Sequence, residues 1–227
     1  MTHFAIKTIA DCGDWARAAA IFGLGIALLA GCGALPDKPA RTVLYDFGPG
    51  PLAAAPAADV SAAALPPITL ADLDTSATRL ESTQLHYRLA YADANELRPY
   101  SGSRWTVPPT QLLRQRLRDA LTPRRTVLGT LEAANIARVE GRTTDVLRIS
   151  LDEFSHYFES PGASVGLVRV RATLVRGGPG GERVLGQRVV TVQRPAPSGD
   201  AAGGVKALAA ASDAAVAEVV AWVEQAR

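Results

Sequence analysis

Several groups of residues in this chain carry side chains able to do chemistry at suggestive spacings. Gly162-Ala163-Ser164-Val165-Gly166 matches the G-x-S-x-G pattern that lifts a serine onto a strained turn for nucleophilic attack. That device needs a strand before it, a helix after it and a histidine later in the chain. Here an alternating strand follows and no histidine comes after Ser164, so the segment reads as a hairpin turn and a serine hydrolase is not expected. His156 stands close to Asp152, Glu153 and Glu159, a set that could exchange protons. Strand alternation divides those side chains between two faces, and the preferred reading is a solvated sheet face. Neither His86 nor His156 has a second ligand at helical or hairpin spacing, which argues against a metal. Gly177–Gly181 and Gly203-Gly204-Val205-Lys206 lack the Lys-Ser/Thr and spacing of a phosphate loop, so no nucleotide site is expected. The remaining reactive group is the thiol of Cys32, at the end of an apolar run.

Residues 18–30 (AAAIFGLGIALLA) follow Lys7 and Arg17 and precede Gly31-Cys32. The run is too short to cross a bilayer as a finished helix and has the layout of a secretory signal. Leu29-Ala30-Gly31-Cys32 resembles the lipobox of bacterial lipoproteins. In that family the cysteine thiol takes a diacylglycerol, the chain is cut just before it, and the new amine is acylated. The resemblance implies a signal peptide over residues 1–31, a covalent lipid on Cys32 and a tether over residues 32–41. Each buried methylene contributes about 0.8 kcal/mol, so several acyl chains anchor stably where one holds only marginally. Gly33 follows the cysteine where Asp would commonly retain the protein at the inner membrane. The same resemblance therefore directs it to the inner, periplasm-facing side of the outer membrane.

Processing removes Cys12 and lipid occupies Cys32, so packing alone must hold the domain over residues 42–227. The formal charge of +2 survives, because Lys7 and Arg17 cancel Asp11 and Asp14. A balance so near neutral gives no reason to expect nucleic acid. The chain is also too short for two lobes around a cleft, which disfavours a solute-binding protein.

The pattern of the domain places strands over 42–47, 67–73 and 83–91, the last alternating strictly. Residues 48–65 are a low-complexity Ala/Pro/Gly excursion, read as flexible. A helix starts at Pro108-Pro109, carries Leu112, Leu113, Leu117, Ala120 and Leu121 at helical spacing, and stops at Pro123. A short strand over 126–128 comes before a long one from 145 to 158. In the long strand the apolar phase shifts, which a bulge near Asp152–Glu153 would explain. A strand over 167–176, the turn Gly177–Gly181, a return strand over 184–193 and a helix over 205–225 complete the chain. The fold class is α/β or α+β: a mixed sheet with an antiparallel three-stranded section from about 145 to 194, flanked by two main helices.

The run Leu97-Arg-Pro-Tyr-Ser-Gly-Ser-Arg-Trp105-Thr-Val-Pro108-Pro-Thr-Gln-Leu-Leu resembles the central motif of the ABC-type transport auxiliary lipoproteins, which include the lipoprotein of the paraquat-inducible (Pqi) operons. Members similarly open with a lipobox, a short tether and an aromatic strand like Val43-Leu-Tyr45-Asp-Phe47. They close with a long Ala/Val helix containing a Trp, as in Ala221-Trp222-Val223. The likeness spans most of residues 32–227 in element order, with the stretch around Trp105 the specific part, and the excursion at 48–65 departs from it. It implies a fold like the N-terminal domain of TolB. It also implies a non-catalytic role beside an ABC permease and a protein with mammalian-cell-entry (MCE) domains, in lipid transport across the envelope. No cofactor is implied beyond the covalent lipid, while phospholipid contact and self-association stay open. The alternative is an envelope assembly or structural lipoprotein that binds only protein.

Between Arg98 and Arg125 seven arginines face a single acid, Asp119. Arginine forks suit phosphates and carboxylates, so Arg104, Arg114 and Arg118 are candidates for an anionic head group or an acidic partner surface. The plainer reading puts Arg114 and Arg118 on the solvent side of an amphipathic helix. Tyr100 and Trp105 are either interface anchors or core residues, with the core preferred for Trp105.

Overall fold

The computed structural model describes residues 41–50, 65–74, 78–140, 143–178 and 181–226. The expected signal segment, Cys32, the expected tether up to residue 40 and residues 51–64 of the Ala/Pro excursion lie outside the described residues. In chain order the elements are β1 (Val43–Tyr45), β2 (Ile68–Leu70), a 3-10 turn (Thr78–Glu81), β3 (Gln84–Leu89), α1 (Ala90–Asp93) and β4 (Arg98–Trp105). There follow α2 (Pro109–Leu121), β5 (Val127–Leu128), α3 (Thr130–Glu140), β6 (Asp145–Ser160), β7 (Ala163–Gly178), β8 (Gly181–Pro195) and α4 (Ala201–Gln225). The expected mixed α/β class holds, with eight strands in one sheet among the described residues.

β6 is the axis of that sheet. β7 runs antiparallel along its length and β8 antiparallel beyond β7, which is the three-stranded section read from the alternation. The other edge of β6 takes two parallel partners in turn, β2 at its start (Ile68↔Asp145) and β3 towards its end (Tyr87↔His156). β4 and then β1 extend the sheet from β3, and β5 extends it from β2.

Along β6 the buried apolar and aromatic side chains are first odd (Leu147, Ile149, Leu151) and then even (Phe154, His156, Phe158), while Ser155, on the opposite side, is buried as well. Asp152 is the extra residue between the pairs Leu151↔Val170 and Glu153↔Arg169, and it produces the change of phase. The bulge therefore lies where the sequence pattern requires it.

Two long helices cover one face. α2 begins at Pro109, where a missing N–H costs nothing, and buries Leu113, Leu117 and Leu121 at a spacing of one turn. It ends as the N–H and hydroxyl of Thr122 both donate to the Arg118 carbonyl. α4 buries Val205, Leu208, Val216, Val219 and Val223 against β7 and β8. It starts at Ala201, four residues ahead of the expected apolar stripe, because the Asp200 carboxylate caps it by accepting from Gly203 N–H at 2.8 Å. α4 approaches the sheet closely at Gly166, where a Cβ would run into the backbone of Ala207 and Leu208.

Two elements escape the periodicity. β4 contains Pro99, Gly102 and two serines, poor strand formers, and is held by pairing with β1 on one side and β3 on the other. α3 follows Gly129, whose N–H donates to Glu132 Oε2 at 2.7 Å. Boundaries also move: β2, expected over 67–73, ends at Leu70, and β8, expected over 184–193, runs from Gly181 to Pro195. β3 stops at Leu89 because Tyr91 enters α1, and the turn expected over 162–166 is tighter, since β7 begins at Ala163. Ser164 and Gly166 are thus strand residues, paired with Phe158 and His156.

Gly166→Ala should lower stability by about 1–3 kcal/mol through overpacking against α4. Gly102→Ala, with nothing within 4 Å of the added carbon, should stay within about 0.5 kcal/mol of the parent. Urea denaturation of both variants checks the contrast.

Candidate functional site

The residues nominated from the sequence do not converge on one place. Trp105 is only 1% exposed and sits between Phe47 (ring centroids 5.7 Å apart, planes at 89°) and Phe154 (5.6 Å). Its candidacy as an interface residue is therefore corrected: the indole fills the centre of the core, out of a partner's reach. Tyr100 is half-buried, with its ring 4.6 Å from that of Tyr87 and its hydroxyl engaged internally. Arg104 is exposed on β4 beside Leu44 of β1. Only Arg114 and Arg118 share a site, an open groove of about 590 Å³ along α2 whose lining includes Asp72, Val107 and Leu112.

The basic run is largely neutralised by acids from elsewhere in the chain. Arg98 pairs with Glu96, Arg114 with Asp72 at 3.0 Å, Arg116 with Asp213 at 3.4 Å, and Arg124 with Glu224. Arg104 and Arg118 have no acidic partner among the described residues, although Arg118 donates to the Val127 carbonyl at 3.2 Å. The α2 groove therefore offers one guanidinium without an acidic partner among the described residues, a second held by an exposed carboxylate, and apolar lining from Val107 and Leu112.

His156 is the larger surprise. The solvated face expected for it is corrected, because the bulge at Asp152 turns its ring beneath the helices and leaves it 0% exposed. Asp152, Glu153 and Glu159 do not accompany it. Instead the Tyr100 hydroxyl lies 2.8 Å from Nδ1, and Ser164 Oγ lies 2.8 Å from Nε2. Space for the ring comes from Gly204 in α4, where a Cβ would stand 2.5 Å from Nδ1.

Burial holds the imidazole neutral by driving its pKa down to about 4, against the opposing pull of the Asp200 carboxylate. The same burial pushes the Tyr100 phenol up, so it keeps its proton. A neutral ring satisfies both neighbours as one donor and one acceptor, in either tautomer.

A serine on an imidazole nitrogen supplies two members of a hydrolytic triad, which a search for a later histidine misses. The third member and the nucleophile's turn are lacking. A phenol stands where a carboxylate would orient the ring, and Ser164 lies within a strand rather than on a strand-to-helix turn. What the chain of bonds does is tie β4, β6 and β7 together under the start of α4.

No group of three or more His, Cys, Asp or Glu side chains placed to hold a metal occurs among the described residues. None of the described helices is long and apolar enough to cross a membrane. The model of the ABC-type transport auxiliary lipoprotein component matches residues 45–220. The chain belongs to that family. It is accordingly an auxiliary lipoprotein of ABC-type transport, with the envelope anchoring that a lipoprotein implies.

Solved structures agree on the fold of this auxiliary lipoprotein. A Xanthomonas campestris protein of the DUF330 family is similar at 22% identity and a TM-score of 0.60, over 70% of this chain and 83% of that one. An uncharacterized protein is similar at 13% identity and a TM-score of 0.55, over 81% and 99% of the two chains. No curated protein matches the chain.

The neutral, buried His156 makes stability depend on pH. Its folded pKa of about 4 lies below the ordinary imidazole value of 6.5, so between those values the unfolded chain binds the extra proton. Stability should fall as pH drops from 6.5 towards 4, by up to about 1.4 kcal/mol per pH unit, and this contribution should level off below 4. Urea midpoints measured from pH 7 to 5 should show the slope, and His156→Phe should flatten it.

Proposed function

We propose that this lipoprotein is the outer-membrane end of an envelope-spanning lipid transport system, anchored through acylated Cys32. In that role it docks an MCE-domain protein and its ABC permease and catalyses nothing itself. The observation that carries the reading is the family match over residues 45–220 in a chain whose Leu29-Ala30-Gly31-Cys32 resembles a lipobox. The packed setting of His156 and Ser164 supports a role without chemistry, since the pair stabilises the sheet where it meets α4.

The α2 groove is the contact surface in this reading. Arg114 and Arg118 present guanidinium groups beside Val107 and Leu112, a combination that suits an anionic head group or an acidic rim on a partner. Breaking the Arg114–Asp72 pair to bind an anion costs little, because Asp72 is 84% exposed and returns to water.

Cys32→Ser should release the domain from membranes into the soluble fraction while leaving its urea midpoint unchanged. Retention of that variant through a high-salt wash would remove the anchor. Gentle detergent purification of the lipidated protein should co-elute an MCE-domain protein and a permease, and Arg114→Glu with Arg118→Glu should reduce that recovery at least tenfold. Recovery of outer-membrane proteins alone would favour the assembly role.

A further inference from the structure

The face of the sheet turned away from α2 and α4 carries a second groove, distinct from the one along α2. Strand register assembles its floor: Glu153 lies opposite Arg169, Arg169 opposite Thr191, Leu167 opposite Gln193, and Arg88 opposite Tyr157. Opposed residues project to the same side of a sheet. The segment after β3 forms a wall, and the space enclosed is an open groove of about 670 Å³.

That wall is fixed by one arginine. Arg88 donates to Glu153 at 3.0 Å and to the carbonyls of Ala94 and Asn95 at 3.2 and 3.3 Å. The ion pair is only 13% and 15% exposed, so the segment is held to β6 before any ligand arrives.

Charge and hydrogen-bonding capacity narrow the ligand. Two arginines, Arg88 and Arg169, and two glutamates, Glu153 and Glu159, line the groove, and their formal charges cancel. Glu159, Arg169, Thr191, Gln193, Asn95 and the Tyr157 hydroxyl supply both donors and acceptors. Tyr91, 48% exposed, adds a flat aromatic face to a lining in which Leu167, Ala90 and Ala94 are the aliphatic members.

An acyl chain would strand these polar groups without partners. A phosphate would meet Glu159, and an ammonium would meet Arg169. An extended peptide binds sheets through an unpaired strand edge, whereas this groove lies on the face of strands already paired. A neutral ring bearing many hydroxyls matches what remains: hydroxyls for the planar amide, carboxylate and guanidinium groups, and a C–H face for the Tyr91 ring.

We propose that this groove binds a neutral oligosaccharide. The proposal stands independently of the α2 groove and of the transport partners.

Saturation-transfer NMR on the full lipidated chain, in a detergent without a sugar head group, tests it with cellotriose and tri-N-acetylchitotriose as probes. Transfer to at least one trisaccharide is expected, with Kd raised tenfold or more by Tyr91→Ala or by Gln193→Ala and unchanged by Arg114→Ala. Both substituted side chains are exposed, so urea midpoints should match the parent. Absence of transfer at millimolar probe would overturn the assignment. So would losses below tenfold in both groove variants, or equally tight binding of the neutral peptide Gly-Ser-Gly-Ser.

Discussion

One inserted residue governs what this sheet presents on each side. Asp152 has no partner of its own in the β6–β7 ladder, and its insertion exchanges the faces for the residues from Glu153 to Phe158, up to a second irregularity at Glu159. Without it, Leu147, Ile149 and Leu151 would hand the core side to Glu153, Ser155 and Tyr157. With it, Phe154, His156 and Phe158 continue the apolar face beneath the helices. Asp152 is itself held in place, accepting from Ser150 Oγ at 2.9 Å and from Arg171 at 3.0 Å. The inner polar chain and the outer groove are both consequences of that single change of phase.

On the inner side the consequence is close packing around a polar ring. Gly166 and Gly204 let β7 and α4 approach each other and the imidazole, at positions where any side chain would collide. A buried imidazole with both nitrogens engaged specifies one arrangement of strands and helix, since displacement would leave polar groups unpaired in the core. Trp105 of β4, Phe47 just beyond β1 and Phe154 of β6 then pack their rings together in the core.

On the outer side the same change of phase leaves Glu153 and Tyr157 facing away from the helices, and Glu159 lines the same groove, where Arg88 and Arg169 balance the acids. The Arg-rich stretch that dominates the middle of the sequence behaves similarly. Asp72, Asp213 and Glu224, brought in from distant elements, neutralise three of its members, so linear charge density overstates the positive field. The domain thus carries, among its surface features, two open grooves on separate faces, one cationic and partly apolar, the other of balanced charge and largely polar.

Local chemistry made much of this legible from the sequence. Alternation in β6, β7 and β8, the proline start of α2, the glycine turn before β8 and the phase shift at Asp152 depend on neighbours in the chain, and each could be read directly. The lipobox-like tetrapeptide and the run around Trp105 pointed to the family. β4 and α3 were not legible, because pairing on both edges overrides the poor propensity of Pro99 and Gly102, and α3 lacks a strong apolar stripe. Nor was the burial of His156, although the phase shift contained the clue. Which arginines are free, and which hydroxyls meet the imidazole, depends on contacts between residues as far apart as Arg124 and Glu224 or Tyr100 and His156. Such pairings are set by how strands stack and helices dock, and no spacing along the chain encodes them.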